Sequence, residues 1–461
     1  MPAASLQSAA LPGHIAEAAA EAEVEARRQA DGFHWNPVTG LTTPTPAPPR
    51  RQGRPLTVLA AEDGSSLFDW LDDDRVKVFG VGQATPAPPD LVLLTRTEIP
   101  AEDARGLTLP DEVWRRLRSG ETKLLLDASS EGSRHTPERA EKWRRFMAAA
   151  GLDPANAVYL TQDRAFRTDH LAHRRATGEA RPGFEVLVHD RFIQSLCADI
   201  HDNGEAVFER RLGAYAVAPA VRERRFICLN NTFRALRAVL LLSLMRDGLW
   251  DRGYISVGKI DLQRNRMLKR MWGLGPLKPL AEELAPLLDR LEALSPTYVG
   301  LGGKEPWHGS ARRMVVPMMF EEYGQSWFTI VTETDGSERL HRITEKPFKP
   351  LLCFHPFILM GSVGSLRLVR EFGFKTFGGF FDEAYDEETD LKARFEMVLD
   401  QIVRLCAAEE AELARRSDAV AGQVVFNARW GLTQLPRLFR ERINPVLVDH
   451  LIGFARGARG G

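Results

Sequence analysis

The stretch from Phe328 to Gly361, FTIVTETDGSERLHRITEKPFKPLLCFHPFILMG, sets two apolar runs on either side of a charged turn. FTIVT is β-branched and apolar with no breaker, as a parallel strand buried on both faces should be, and it delivers Glu333 and Thr334 to its carboxyl end. After a loop, Thr344 is placed to cap a helix whose first turn holds Glu345, Lys346 and Pro347, where the missing proline N–H costs nothing. PFILMG then reads as a second buried strand, closing into Gly361 ahead of the amphipathic SLRLVREF. Strand, helix, strand, helix is the grammar of an open α/β sheet, in which ligands lie outside the carboxyl ends of the strands. Glu333, Glu345, Lys346 and the Gly361 turn are therefore expected at one crevice.

The charge at that helix start suits an anion. Free backbone N–H groups and the helix dipole attract phosphate oxygens, and Lys346 adds a full charge. Glu345 would repel a phosphate and is read instead as an acceptor for ribose or sugar hydroxyls. The plainer alternative is that Glu345 complements the dipole and Lys346 is solvated.

Upstream, FICLN reads as a short strand, Asn230, Asn231 and Thr232 as turn and capping residues, and RALRAVLLLSLMRDGL as a helix with Gly248 near its end. Arg234 and Arg237 at its start are candidates for bidentate phosphate binding. An exposed helix face is the other reading.

ITEKPFKPLL, preceded by an apolar strand ending in a glutamate, resembles the donor-site signature of GT-B glycosyltransferases, in particular the fucosyltransferase-like group. The segment Phe226–Ser256 is similar to one found in a set of bacterial and phage proteins of the glycosyltransferase type. It departs from their pattern at Asn231 and Thr232, where an arginine is expected, so a phosphate role there passes to Arg234 or Arg237. The resemblance covers residues 226 to 445. It implies two Rossmann-like domains of the GT-B type, a nucleotide-diphosphate sugar as donor substrate, no further cofactor, and a glutamate base in a first-domain loop.

For that base the segment LLLDASSEGSRH offers Asp127 at a strand's carboxyl end and Glu131 in the following glycine-containing turn. A carboxylate can deprotonate an attacking hydroxyl if desolvation lifts its pKa. Glu131 is the best positional match to the family pattern, with His135 in reserve. Both carboxylates also fit ordinary turn roles.

At 461 residues the chain exceeds the size at which one core keeps growing, and two domains are expected. The reading is a flexible Ala/Pro-rich extension over 1–54, an acceptor domain over 55–225, a nucleotide-sugar domain over 226–430 and a helical tail over 431–461. One helix, HIAEAAAEAEVEARRQA, is expected within the extension. Strands are expected in LTVLAAED, RVKVFGVG, DLVLLTR, KLLLDAS, AVYLTQ and FEVLVHD. The tail is read as amphipathic helices that return to the first domain, as the family implies.

A formal net charge of −1 gives no case for nucleic acid as the main partner, and 44% hydrophobic with 27% charged residues is ordinary for a soluble globular chain. Cys197, Cys228, Cys353 and Cys406 lack a CxxC pair and are read as reduced thiols. No secretory signal or spanning segment is visible, so a cytoplasmic protein is expected, with room for peripheral association with a membrane-bound acceptor. Asp72–Asp74 looks like a helix end rather than the metal-binding Asp-x-Asp of GT-A enzymes, and DEAYDEETD (382–390) lacks the glycine of an EF-hand. Metal is therefore expected to be dispensable. The expected activity is sugar transfer to a glycan, lipid-linked sugar or protein hydroxyl. A non-catalytic nucleotide- or carbohydrate-binding protein, or a scaffold, is the alternative.

Overall fold

The chain begins with a helix, α1 (Gly13–Asp31), and a short antiparallel pair, β1 (Trp35–Asn36) and β2 (Leu41–Thr42). The computed structural model describes residues 11–42, 53–61, 67–71, 73–95, 108–129, 134–179, 183–200, 203–260, 275–299, 321–334, 336 and 341–457. Next come β3 (Leu56–Ala60), α2 (Phe68–Leu71), β4 (Val76–Gly80), β5 (Leu91–Thr95), α3 (Asp111–Ser119) and β6 (Lys123–Asp127). They are followed by α4 (Pro137–Ala150), β7 (Ala157–Thr161), α5 (Phe166–Ala176), β8 (Glu185–Val188), α6 (Arg191–Ile200) and α7 (Gly204–Ala216). The later part holds β9 (Arg224–Asn230), α8 (Ala235–Arg246), β10 (Gly253–Val257), β11 (Ser326–Thr332) and β12 (Phe357–Met360), with further helices named below by their ranges.

Two units share these elements. The first comprises Met1–Asp31, Asp199–Glu338 and Glu345–Pro436, the second Gly32–Ala198, Arg339–Thr344 and Arg437–Gly461. The second unit carries an all-parallel sheet in the order β4-β3-β5-β6-β7-β8, built from the six runs anticipated above. Leu91–Leu94, Leu124–Asp127 and Ala157–Thr161 are buried throughout, because helices cover both faces of a parallel sheet. Val113 and Leu117 of α3, with Trp143, Phe146 and Met147 of α4, pack on one face. Phe68 and Leu71 pack on the other, together with Leu447, Val448, Leu451 and Ile452 of the helix Asn444–Ala455.

The first unit carries a four-stranded parallel sheet in the order β10-β9-β11-β12. All seven residues of β11 are buried. So is nearly all of α8, whose apolar residues run right round the helix, as a core helix requires. α1 lies along the helix Ala421–Arg429, and Ala22, Ala26 and Ala30 recur every fourth residue on its buried stripe. Glu23 of α1 pairs there with Arg429.

The domain boundaries differ from the sequence reading. Residues 13–31 are a packed helix of the first unit rather than part of a flexible extension, because their alanine stripe is apolar enough to be buried. α7 belongs to the first unit, whereas the sequence reading put it before the boundary at 225. The tail divides at Pro436, and its last part supplies core residues to the second unit.

Candidate functional site

In the first unit β9 pairs with β10 on one side and β11 on the other, so the chain's winding reverses between β9 and β11. Such a reversal opens a crevice beyond the strand ends. Asn230 ends β9, Thr332 ends β11 with Glu333 following, and Gly361 follows β12. The Glu333 N–H donates to the Met360 carbonyl at 2.9 Å, prolonging the β11–β12 ladder to this point. A Cβ on Gly361 would lie 3.3 Å from Glu333 Cγ, so glycine lets the two strand ends stay close. Asn230, Glu333, Glu345 and Gly361 are buried, and Lys346 is half-buried.

The helix expected at Thr344 starts later and is shorter. Its described span is Phe348–Leu352, with Pro347 at the N-cap position and no side-chain cap. Thr344 is buried in the second unit and does not cap it. Glu345, Lys346 and Pro347 form the turn before the helix, and the Lys349 N–H donates to the Glu345 carbonyl at 3.3 Å. A five-residue helix offers little dipole, so the positive charge here comes from side chains and not from the helix N-terminus. Lys346 Nζ lies 3.6 Å from Glu333 and 3.8 Å from Glu345, and Lys349 Nζ lies 3.6 Å from Glu345. Burial pushes the Glu345 carboxyl up, but Lys346, Lys349 and Arg237 outweigh it and hold the pKa at about 2. Burial pulls Lys349 below its usual range, with Glu345 opposing.

The stronger helix start is that of α8, twelve residues long and directly after β9 at the winding reversal. Its N-cap residue is Arg234 in extended conformation, no side chain caps it, and its first turn holds no acid. Arg234 is half-buried and has no ion-pair partner among the described residues. Arg237, 4% exposed, donates to the Thr232 carbonyl at 2.9 Å and the Thr332 carbonyl at 3.4 Å, while its Nε has no acceptor among the described residues. Arg237 thus ties the two strand ends together. Burial lowers its pKa, Glu333 and Glu345 oppose this, and Arg234 adds repulsion. Gly258 after β10 completes the wall, since a Cβ there would lie 1.7 Å from the Asn231 carbonyl oxygen.

In the second unit, Asp127 ends β6 and is fully buried. It accepts from the Ser129 N–H at 3.0 Å and the Ser129 hydroxyl, and pairs with Arg191 at 3.1 Å, so it is held as a strut. Glu131 lies outside the described residues. His135 sits beside α5, with Nε2 3.4 Å from His170 Nδ1 and its ring 5.5 Å from that of His173. Burial and the neighbouring His173 lower its pKa to about 4, and burial with His135 lowers that of His170 to about 3, so both stay neutral imidazoles. Asp190, after β8, takes both guanidinium branches of Arg164 at 3.1 and 3.0 Å, and His189 is bonded to Gln194 at 2.7 Å.

Sequence reasoning missed Asp163, two residues beyond β7 and fully buried. Its signal was the one that singled out Asp127, a carboxylate at a strand's carboxyl end. Burial raises its pKa to about 6.

The acidic 382–390 segment caps neighbouring elements. Asp386 accepts from the Leu366 and Arg367 N–H groups that open the helix Ser365–Glu371, Asp382 caps the turn after it, and Asp390 caps the helix Leu391–Ala407. The N-terminus beyond β12 is therefore already occupied by a carboxylate. Among the described residues no group of three His, Cys, Asp or Glu is placed to hold a metal ion, and no helix is long and apolar enough to cross a membrane.

No family model, curated protein or solved structure matches this chain. The resemblance carried by ITEKPFKPLL and Phe226–Ser256 stands on those residues alone. What the geometry adds is an α/β protein with parallel sheets and a charged cluster at one winding reversal.

Proposed function

We propose that the chain is a GT-B-type glycosyltransferase whose first unit holds a nucleotide-diphosphate sugar at the β9–β11 winding reversal. The observation that carries this is the charge count. Four cations, Arg234, Arg237, Lys346 and Lys349, meet two carboxylates, Glu333 and Glu345, among the described residues there. The surplus of two positive charges matches the two negative charges of a nucleoside diphosphate ester. Partly buried guanidinium and ammonium groups stabilise the charge that builds on the diphosphate as it leaves. Arg234 at the α8 start contacts the phosphates, and Glu333 and Glu345 accept from ribose or sugar hydroxyls. Asn230 and Gly361 shape the floor. The second unit binds the acceptor, a glycan, a lipid-linked sugar or a protein, whose hydroxyl receives the sugar.

The test is a thermal-shift series with GDP, UDP, CDP, ADP and their common sugar conjugates, followed by detection of nucleoside diphosphate release with acceptor present. One base should stabilise the protein, since a ligand at one hundred times its Kd adds about 2.7 kcal/mol. Arg234→Ala should weaken that ligand by roughly 10- to 100-fold, the loss of one charge-assisted bond, without lowering the melting temperature of the free protein. No shift with any nucleotide overturns the reading.

A further inference from the structure

We propose that Phe354 is a positioning residue of the nucleotide crevice, whose ring fixes the helix Phe348–Leu352 against α7 and so sets Lys349 beside Glu345; the inference rests on the nucleotide-sugar reading of that crevice. The backbone points to it. Phe354 has a φ of 57°, and among the described residues it is the one non-glycine residue with a positive φ. A side chain in this left-handed region crowds its own carbonyl, so a bulky residue stays there only where its surroundings over-determine it.

The place is a helix end. Cys353 is the C-cap of the helix Phe348–Leu352, and Phe354 is the next residue. The His355 N–H donates to the Pro350 carbonyl at 3.0 Å, the bond that closes a Schellman turn, and the Cys353 N–H donates to the same carbonyl at 2.9 Å. Glycine ordinarily fills the position after the C-cap, because it meets no crowding there. Pro356 then favours an extended His355, and the chain enters β12. The turn alone would be better served by glycine, so the ring is kept for what it touches.

It touches α7. The Phe354 ring, 3% exposed, stacks at 5.3 Å and 25° on Tyr215 and lies 5.7 Å from the ring of Phe208. Between these two on the same face of α7, Arg211 donates to the Leu352 carbonyl and, at 3.5 Å, to the Cys353 sulfur. α7 is held in turn by Arg429, which bonds to Glu205 at 2.5 Å and stands 4.7 Å over the Phe208 ring. All of these residues belong to the first unit.

The anchor bears on the crevice through Lys349, the second residue of a helix only five residues long. Lys349 Nζ lies 3.6 Å from Glu345, and with Lys346 it offsets that buried carboxylate. The charges of Arg211 and Lys349 both act on the Cys353 thiol, against the rise that burial imposes, so the anchored end and the charged residue are close neighbours. Releasing the ring frees the backbone to leave the left-handed region. Lys349 then moves with the helix, and Glu345 opposes the diphosphate with less to offset it.

The experiment is a double-mutant cycle on nucleotide affinity, read by titration at one temperature below every variant's unfolding. It compares wild type, Phe354→Gly, Lys349→Met and the double variant, using the nucleotide that stabilises the wild type. Each single substitution is expected to weaken binding by about 10-fold, and the double variant to bind no more weakly than Lys349→Met, because the ring acts through the lysine. Should Phe354→Gly fail to fold, Phe354→Leu, which keeps apolar bulk and loses the stack, takes its place with the same expectation. A lower melting temperature with wild-type affinity is the mark of a packing residue and overturns the proposal, as does a loss that multiplies with that of Lys349→Met. Either result leaves the nucleotide reading standing, whereas a wild-type protein that binds no nucleotide overturns both.

Discussion

The Thr332 hydroxyl donates to Asn230 Oδ1 at 2.5 Å, joining by side chains the ends of β11 and β9 where the winding reverses. Asn230 Nδ2 is turned to the Cys228 sulfur at 3.1 Å, so the amide is fixed at both ends. Thr332→Val keeps the shape of the side chain and removes the donor, leaving a buried carbonyl oxygen unsatisfied. The expected loss is about 1–3 kcal/mol, read as a lower midpoint in urea with an unchanged slope.

Glu345 makes stability depend on pH at the acid end. Its pKa is lowered from 4.5 to about 2 in the folded protein, so its contribution is present above the unfolded value and is lost as pH falls from about 4.5 towards 2. Glu345→Gln should cost on the order of 2–3 kcal/mol at pH 7 and only a few tenths of a kcal/mol near pH 2, where the side chain is protonated in the unfolded state and about half protonated in the folded one. Melting curves of the two proteins across that range should converge. Parallel curves would show that Lys346 and Lys349 do not bind the carboxylate as the structure has it.

Much of this arrangement was legible in the sequence, for physical reasons that differ along the chain. Runs such as KLLLD and AVYLT are strands buried on both faces, and continuous apolarity bounded by turns marks them unambiguously. The expectation that Glu333, Glu345, Lys346 and the Gly361 turn meet came from strand order and the rule for strand ends, and the structure does bring Glu333 against Gly361 and Lys346. The start of the helix after Thr344 was misread because Pro347 fits a first turn and an N-cap position almost equally well. The choice of α8 over that helix was hidden because a cap is recognised from side-chain geometry, and Arg234 carries no capping group to signal its place. Asp163 was passed over because partnering, which separates it from Asp127 among the described residues, depends on Arg191, 64 positions away from Asp127. The division of the chain into units was the least legible, since a segment as short as Arg339–Thr344 changes unit without any shift in composition.

The tail helix tests that division directly. Leu447, Leu451 and Ile452 lie in the same core as Leu125, Val158 and Leu187 of the second unit's sheet. Leu451→Ala should therefore cost about 2–5 kcal/mol, the range for a large buried side chain whose space cannot collapse. If the tail were a solvated appendage, the change would be within about 0.5 kcal/mol. Urea unfolding followed by tryptophan fluorescence distinguishes the two.

Gly258 offers the sharpest check on the anion site, because the same substitution has opposite signs at two glycines. A Cβ at Gly258 would stand 1.7 Å from the Asn231 carbonyl oxygen, a backbone atom that moves only with the whole turn leading to Arg234. Gly258→Ala should destabilise the protein by about 1–3 kcal/mol or more and weaken nucleotide binding, since the turn that presents Arg234 must shift. In α7, Gly213 has nothing within 4 Å of the added carbon, and Gly213→Ala should stabilise by about 0.5–1 kcal/mol with nucleotide binding unchanged. Melting temperatures and nucleotide titrations on both variants check this. A Gly258→Ala protein that binds nucleotide as the wild type does would place the phosphates away from the β9–α8 turn.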